Sequence, residues 1–318
     1  MPTTDTTTLD ERAVRITGGQ RLVGTATVQG SKNTALHLYA ATILADDPLT
    51  LIGAPEILDT GVVVGILHRT GTRATVTGDE FATRPADSYF PVIPDDLGRR
   101  IRTTAVMAGA LLARSGKVTF PTPGGDAFCT RHIDRHLAAM EAAGADVELT
   151  GFPTAAFPDG LVSVFADAGI RLDAVDGGTT VSVPAGPRAV QMATGPHPGF
   201  PTDVQPQLTA FLTQAEGTSR IDERIYPQRD THLPALAAFG AAVNASGPVI
   251  TARGRSALTA ADVAGADIRA ATALVIAALA AEGSSTIRGM YHLRRGYGSL
   301  LPKLAALGAD LTIDQEQP

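Results

Sequence analysis

Residues 278–287 read ALAAEGSSTI and residues 212–221 read LTQAEGTSRI, so two distant stretches share one pattern. In both, an apolar helix-like run ends near Ala-Glu-Gly, and a segment suited to a β-strand follows. Each continues into a second apolar run ending in Gly-Ala, at LPALAAFGAAV (233–243) and LPKLAALGADLTI (301–313). Glycine just past a helix commonly forms a left-handed cap. The pattern predicts a unit of helix, strand, helix and returning strand.

Two further copies of this unit precede the pair. They begin at AATILADDPLTLI (40–52) and MAGALLARSGKVTF (107–120), and a half copy reads DGLVSVFADAGIRLDAVDGGTTV (159–181). Because one supersecondary unit recurs along the chain, the sequence predicts an α/β protein built from repeated β-α-β units.

Length, net charge, apolar segments and cysteine count limit the class to which this protein can belong. Its 318 residues are enough for two domains. The net charge of −6 argues against a nucleic-acid partner. The longest apolar run, 271–281, is too short to cross a membrane, and the first residues are polar and acidic, so we predict a cytoplasmic protein without a membrane partner. A single cysteine, Cys129, rules out an internal disulfide.

A turn-rich stretch, GFPTAAFPDG (151–160), predicts a linker between domains. We therefore expect a disordered tail over residues 1–13 and a domain carrying a catalytic loop over 30–155. A second domain would combine 14–29 with 156–318.

The first candidate site is GSKN (30–33), where a strand is predicted to give way to a helix. Lys32 is one of only three lysines among 26 basic residues. A helix start offers free N–H groups and the positive end of the dipole, so Lys32 and Asn33 could bind an anion such as phosphate. The alternative is an exposed lysine in a first helical turn.

An arginine cluster, LGRRIRTT (97–104), is predicted to open another apolar helix. Cations in a first turn oppose the helix dipole, so Arg99, Arg100 and Arg102 would need an anionic partner. We single out Arg102, which precedes the apolar run most directly; a solvated face is the alternative.

The segment TPGGDAFCTRHIDRH (122–136) predicts a mobile loop with Asp126 at its tip. Asp126 could act as an acid after loop closure, although it could also be an ordinary turn residue. His132 and His136 have the spacing of zinc ligands, but no third ligand follows, so we predict no metal and no cofactor.

Further charged residues mark the second half of the chain. Asp203, in GPHPGFPTD (195–203), could be a helix cap or a functional carboxylate. Arg229 and the pair Arg294–Arg295 occupy the same turn of successive repeats, which predicts that they point to one rim. ADIR (266–269), with Asp267 and Arg269, opens the fourth repeat.

Together these motifs resemble the enolpyruvyl transferase family. The matching pieces are GSKNTAL, DLGRRIR, PGGD, TRHIDRH, GPHPGFPTD, PQRDTH, ADIRA and YHLRRGYG. The resemblance implies two domains, each an inside-out α/β barrel with helices within and sheets outside. It also implies transfer of the enolpyruvyl group of phosphoenolpyruvate to a hydroxyl of a nucleotide-type acceptor, by addition and elimination. The default acceptor is UDP-N-acetylglucosamine, the substrate in peptidoglycan synthesis.

The resemblance also implies a role for each candidate residue. Lys32 and Asn33 would lie at the phosphoenolpyruvate and acceptor site, with Lys32 also catalytic. Asp126 would donate a proton, and Asp203 would take one from the attacking hydroxyl. The residues that would bind phosphoenolpyruvate with Lys32 are Arg131, Arg229, Asp267, Arg269 and Arg295. The acceptor would contact Asn33, Arg102, Arg131, His132, Ile133, Asp134, Arg135, Asp203 and Ile225.

The sequence departs from the family pattern in length. The family has six repeats, whereas we count about four and a half here. The missing part would be the third repeat and the front of the fourth. In the family, the third repeat carries a lysine- and serine-containing loop that holds the acceptor's diphosphate. The acceptor would then be UDP-N-acetylglucosamine held more weakly, or a smaller compound such as a nucleoside monophosphate in antibiotic assembly; a non-catalytic relative is the third alternative. A missing repeat would expose an apolar face of its neighbour. Either a second copy of the chain in a homo-oligomer or an irregular capping segment would cover this face.

The loop tip departs from the family pattern too, because most members carry cysteine where this chain has Asp126. Fosfomycin alkylates that thiol, so we expect the protein to be resistant and to show no covalent adduct by intact-protein mass spectrometry. Asp126→Cys is the matched variant that should acquire the adduct. An adduct on the unaltered protein, for example at Cys129, would contradict this prediction.

Overall fold

The computed structural model divides the chain into two compact units. The described residues are 13–20, 29–121, 123–124, 158–175, 178–183 and 185–314. Of these, the larger unit contains 13–20, 158–293 and 301–314, and the smaller unit contains 29–124 and 294–300.

Both units contain helices and strands. The helices are α1 (Lys32–Ala41), α2 (Leu58–Thr70), α3 (Asp95–Gly98), α4 (Thr104–Ser115), α5 (Asp159–Asp167), α6 (Gln205–Leu212), α7 (Leu233–Ala238), α8 (Ile268–Ala280), α9 (Met290–Gly296) and α10 (Leu300–Ala306). The strands are β1 (Ala13–Thr17), β2 (Leu49–Ile52), β3 (Arg73–Thr77), β4 (Glu80–Arg84), β5 (Arg171–Val175), β6 (Gly178–Ser182), β7 (Gln191–Ala193), β8 (Gly217–Asp222), β9 (Ala242–Ser246), β10 (Val249–Gly254), β11 (Asp262–Ala264), β12 (Ser284–Arg288) and β13 (Asp310–Ile313).

Two four-stranded sheets of the larger unit repeat one topology. One has the order β7-β8-β10-β9 and the other β11-β12-β1-β13. In each, the first pair is parallel and the next two pairs are antiparallel. Strand β1 therefore stands in the last repeat where β10 stands in the repeat before it, so the first described strand of the chain completes the sheet of the last repeat. Strands β5 and β6 form a separate hairpin.

The smaller unit contains a third example of the same sheet. Its order β2-β4-β3, antiparallel throughout, matches β8-β10-β9. In the second copy, residues 118–120 do not form the predicted strand: Thr119 only bridges Val92. Beneath the sheet, Tyr39 stacks on the buried Phe81 with ring centroids 3.8 Å apart.

The predicted left-handed glycines are confirmed after α7 and α10. Gly240 has φ 88° and Gly308 has φ 102°, a region that other residues rarely adopt. Each follows a helix by two residues and turns the chain into the next strand. Glycine is needed here because a side chain would strain this turn.

Helices are the buried elements of the larger unit. Nine of the 13 residues of α8 are buried, including Leu274 and Val275, whereas the strand β8 is partly exposed. Helix α6 packs against α8, and Gln207 Nε2 donates to Thr272 Oγ1 at 2.9 Å between them. The predicted α/β class is confirmed. Within the part of the chain that is described, no helix combines the length and hydropathy of a membrane span.

Candidate functional site

In the smaller unit, one buried carboxylate binds two of the predicted site cations. Asp59 Oδ2 lies 2.8 Å from Lys32 Nζ, and Asp59 Oδ1 lies 3.0 Å from Arg295 Nε. Lys32 Nζ also donates to the Arg295 carbonyl at 2.9 Å. The side chains of Asp59, Arg295 and Lys32 are only 5%, 7% and 15% exposed. We call these three residues the Asp59 cluster.

Three separate segments build this cluster. Lys32 is the first residue of α1, after the N-cap Ser31, whose Oγ accepts from the Thr34 N–H at 3.4 Å. Asp59 lies in the first turn of α2, and Arg295 lies in α9. The predicted helix start at Lys32 is therefore confirmed, and the alternative of an exposed lysine is wrong.

In the larger unit, one carboxylate again pairs with two cations, and here both cations are arginines. Arg229 Nη1 lies 2.7 Å from Asp203 Oδ1, and Arg269 Nη2 lies 2.5 Å from Asp203 Oδ2. Asp203 is 39% exposed, whereas the side chains of Arg229 and Arg269 are 4% and 16% exposed. We call these three residues the Asp203 cluster. Each carboxylate oxygen of Asp203 pairs with one guanidinium group.

The carboxylate of Asp203 does not cap a helix. It lies in a 3-10 helix, Thr202–Val204, that has no side-chain cap bond. Burial raises the pKa of Asp203, but the charges and hydrogen bonds of Arg269 and Arg229 more than offset burial, so the pKa is lowered overall. Asp203 is therefore ionised at neutral pH.

Asp267 supports the same cluster from the start of α8. Its Oδ1 accepts from the backbone N–H groups of Arg269 and Ala270 at 2.8 and 2.9 Å, so Asp267 is the N-cap of the helix. Its Oδ2 accepts from Thr231 Oγ1 at 2.5 Å. The cap fixes the backbone from which Arg269 reaches Asp203.

A fully buried histidine lies beside these charges. His232 is 0% exposed. Burial lowers the pKa of His232 to about 3; Asp267 opposes this shift, and Arg229 adds to it. His232 is therefore neutral at physiological pH and adds no charge to the cluster.

A buried glutamate organises the loop before Arg229. Glu223 Oε1 accepts from Thr194 Oγ1 and from the N–H groups of Ile225 and Tyr226, at 2.8, 3.0 and 2.9 Å. Glu223 Oε2 accepts from Thr202 Oγ1 at 2.9 Å. Ile225, predicted to face the acceptor, is half-buried in this loop.

Of the other predicted residues, some lie in the described ranges and some lie outside them. Asn33 is exposed, and Arg102 is half-buried just before α4. Arg99, Arg100 and Arg102 precede this helix rather than lying in its first turns, because α4 begins only at Thr104, and Arg99 binds Asp95 at 2.9 Å. The predicted residues that lie outside the described ranges are Asp126, Arg131, His132, Ile133, Asp134 and Arg135. Across the described ranges, no group of three or more His, Cys, Asp or Glu residues is placed to hold a metal ion.

Sequence reasoning missed Asp59 and Glu223. An aspartate in a first helical turn is ordinary because it favours the helix dipole, so Asp59 carried no distinct signal. Glu223 follows a strand and belongs to the polar run DER (222–224), which is typical of a solvated turn. Only their burial distinguishes them.

Comparison with known proteins identifies the class. The family model described as EPSP synthase (3-phosphoshikimate 1-carboxyvinyltransferase) matches residues 16–157 and 153–304. UDP-N-acetylglucosamine 1-carboxyvinyltransferase from Zymomonas mobilis is 30% identical, with 94% of this chain and 98% of that protein covered. The protein of the same name from Azorhizobium caulinodans is also 30% identical, with the same coverage. The chain therefore belongs to the enolpyruvyl transferase family of transferase enzymes.

Solved structures agree on the fold. The enolpyruvyl transferase NikO from Streptomyces tendae has a TM-score of 0.78 at 20% identity, covering 96% of this chain and 100% of that chain. EPSP synthase from Acinetobacter baumannii has a TM-score of 0.62 at 12% identity, with the same coverage. The predicted enolpyruvyl transferase fold, an inside-out α/β barrel, is confirmed.

The chain is shorter than its curated relatives. The alignment with the Zymomonas protein runs over 418 positions, whereas this chain has 318 residues. Because 94% of this chain takes part in that alignment, about 120 of its positions have no counterpart here. This difference agrees with the reduced number of repeats counted in the sequence.

Removing the shared carboxylate of the Asp59 cluster should destabilise the protein strongly. Asp59→Ala removes a buried carboxylate shared by Lys32 and Arg295, and breaking a buried ion pair by removing one partner typically costs about 3 to 5 kcal/mol in the free energy of unfolding. Urea unfolding at neutral pH measures the loss. Asp46→Ala is the matched control, because Asp46 forms an equally short pair with Arg114 but is 85% exposed. Equal losses in the two variants would contradict the structural role of Asp59.

Stability should fall with acid because of His232. The unfolded chain binds a proton on this histidine below about pH 6.5, whereas the folded protein resists protonation until about pH 3. The free energy of unfolding should therefore fall as pH falls through this window, by up to about 1.4 kcal/mol per pH unit from this one group. Urea unfolding of His232→Leu should show a shallower dependence of stability on pH than the unaltered protein. Identical slopes in the unaltered protein and His232→Leu would refute the prediction.

Proposed function

We propose that the protein transfers the enolpyruvyl group of phosphoenolpyruvate to a hydroxyl of a nucleotide-type acceptor, with release of phosphate. The observation that carries this proposal is the Asp203 cluster, in which two guanidinium groups converge on one carboxylate. Phosphoenolpyruvate bears a phosphate and a carboxylate, and the planar guanidinium fork suits both. Family membership supports the reaction class.

We propose that the arginines of the Asp203 cluster, Arg229 and Arg269, bind phosphoenolpyruvate together with Lys32 and Arg295. Asp267 acts through the helix cap that positions Arg269. Asn33 and Arg131 complete the predicted set for this substrate. The lysine supplies a compact charge for the departing phosphate, whereas the arginines hold oxyanions in paired hydrogen bonds.

The proposed reaction has two steps. Asp126 donates a proton to the methylene carbon C3, and the acceptor oxygen attacks C2 while its hydroxyl proton passes to Asp203. This addition gives a tetrahedral ketal. In the elimination, C3 returns a proton to the Asp126 carboxylate and the bond from C2 to the phosphate oxygen breaks, with its electron pair going to that oxygen. The proton held by Asp203 leaves with the phosphate, and the enol ether is released. General acid and base catalysis typically contributes a factor of about 10² to 10⁴ for each group.

The ion pairs of Asp203 bear on its proposed role as base. In the substrate-free protein, Arg229 and Arg269 hold the pKa of Asp203 low, which makes it a weak proton acceptor. A substrate anion on the same arginines would offset their charge and raise the pKa of Asp203. Asp203 would therefore become a stronger proton acceptor only while phosphoenolpyruvate is bound.

Two acceptor classes are supported by different observations. UDP-N-acetylglucosamine is the default, because the curated relatives at about 30% identity carry the name UDP-N-acetylglucosamine 1-carboxyvinyltransferase. A smaller acceptor, such as a nucleoside monophosphate, is favoured by the shorter chain and by the missing repeat, which in the family supplies the diphosphate-binding loop. The remaining acceptor contacts are predicted at Arg102, Ile225 and residues 131–135.

An acceptor panel tests the proposed function. Phosphate release from phosphoenolpyruvate is measured with UDP-N-acetylglucosamine, with each nucleoside monophosphate and without acceptor, and the product is identified by mass spectrometry as the acceptor plus one enolpyruvyl group. We expect turnover with one of these compounds. No turnover with any of them, despite binding of phosphoenolpyruvate, would favour a non-catalytic relative.

A matched pair of variants controls this test. Asp203→Asn should lower kcat by about 10² to 10⁴, because it removes the proposed base. Asp262→Asn should leave turnover unchanged, since Asp262 also pairs with an arginine, Arg288, but both side chains are more than half exposed. Equal rates in the two variants would contradict the role of Asp203.

A further inference from the structure

Glu223 is an unusual buried carboxylate in the larger unit. The residue is 1% exposed, and its two oxygens accept four hydrogen bonds from Thr194, Ile225, Tyr226 and Thr202. These donors are two hydroxyls and two backbone N–H groups, all of them neutral. Burying a carboxylate is costly unless its oxygens are satisfied, so an arrangement with four converging donors indicates a specific structural task.

Three chain segments meet at this carboxylate. Thr194 directly follows β7, Thr202 begins the 3-10 helix that carries Asp203, and Ile225 and Tyr226 belong to the loop after β8. Thr194 Oγ1 also accepts from the Arg224 N–H at 2.9 Å, so this hydroxyl connects Glu223 to the same loop a second time. Glu223 therefore holds the loop against the segment that precedes Asp203.

Two residues that donate hydrogen bonds to Glu223, Tyr226 and Thr202, adjoin the Asp203–Arg229 pair. On the arginine side, the Tyr226 carbonyl accepts from the Arg229 N–H at 2.9 Å, and the Arg229 guanidinium lies 4.9 Å from the centre of the Tyr226 ring. On the aspartate side, the Thr202 carbonyl accepts from Arg229 Nη1 at 3.2 Å, and Asp203 is the next residue. One carboxylate thus orders the backbone on each side of the pair.

We propose that Glu223 is a positioning residue that sets the geometry of Asp203 and Arg229 and the conformation of the Ile225–Tyr226 segment. Its consequence for ligands rests on the proposed function, because Arg229 binds phosphoenolpyruvate there and Ile225 faces the acceptor. Glu223 itself touches no substrate in this account. Its carboxylate is fully used by Thr194, Thr202 and the loop N–H groups.

Two variants of Glu223 distinguish positioning from simple stability. Glu223→Ala removes all four acceptor interactions. Glu223→Gln keeps the shape and one carbonyl oxygen for the Ile225 and Tyr226 N–H groups, and its amide can donate to Thr202, whose hydroxyl can also accept. Hydrogen–deuterium exchange measured by mass spectrometry reports the loop directly, and calorimetric titration with phosphoenolpyruvate reports the site.

We expect Glu223→Ala to exchange faster in peptides covering 200–205 and 223–230, while peptides from α8 keep their protection. Its dissociation constant for phosphoenolpyruvate should rise about ten-fold or more, whereas Glu223→Gln should stay much closer to the unaltered protein. Unchanged loop exchange in Glu223→Ala, or equal loss in both variants, would overturn the proposal. Failure of the unaltered protein to bind phosphoenolpyruvate contradicts the proposed function instead, and the exchange measurement still tests the positioning role.

A double-mutant cycle supplies the matched control. Thr202→Val removes one donor to Glu223, so its effect on loop exchange should be smaller in the Glu223→Ala background than alone. Thr70→Val also removes a buried hydroxyl, but the Thr70 hydroxyl donates to the Ile66 and Leu67 carbonyls of its own helix in the smaller unit, so its effects should add to those of Glu223→Ala. Additive effects for Thr202→Val would overturn the proposed link.

Discussion

In each unit, a carboxylate holds two candidate cations in place, and this electrostatic constraint shapes both clusters. A buried charge is stable only beside a counter-charge with satisfied hydrogen bonds. Asp59 meets this requirement for Lys32 and Arg295, and Asp203 meets it for Arg229 and Arg269. The two carboxylates differ in exposure: the side chain of Asp59 is 5% exposed, whereas that of Asp203 is 39% exposed. Asp59 is therefore suited to a permanent structural role, and Asp203 to one that a substrate anion can alter.

The repeat architecture explains how distant residues reach the same cluster. In each repeat a strand is followed by a turn and a helix, so the turns supply side chains from regular positions. Arg229 lies in the turn between β8 and α7, and Asp267 lies at the start of α8. The first described strand, β1, completes the sheet of the last repeat, so the beginning and end of the chain share one sheet. The chain is shorter than the relatives it matches, yet both clusters are present.

Much of the fold followed from pattern alone. The repeated glycines, apolar helices and β-branched strands predicted the α/β class, and the structure shows the same sheet order three times. The residue-level interpretation of the turns was less successful. The sequence leaves Asp203 open between a helix cap and a functional carboxylate, and the structure shows it bound to two guanidinium groups. Arg99, predicted in the first turns of a helix, lies before that helix. Local patterns describe what a residue could do for its own segment, and they omit partners that lie far along the chain.

The sequence by itself determined the repeat, the positions of the helix starts at Lys32 and Asp267, and the cationic character of the candidate site, because these depend on short-range periodicity and on residue type. Only the tertiary structure decided which carboxylate neutralises which cation. Asp59 and Arg295 are 236 residues apart, and Glu223 orders a loop through Thr194 and Thr202. Burial gives such pairs their strength, and burial arises only when the repeats pack, so no local stretch of sequence contains it.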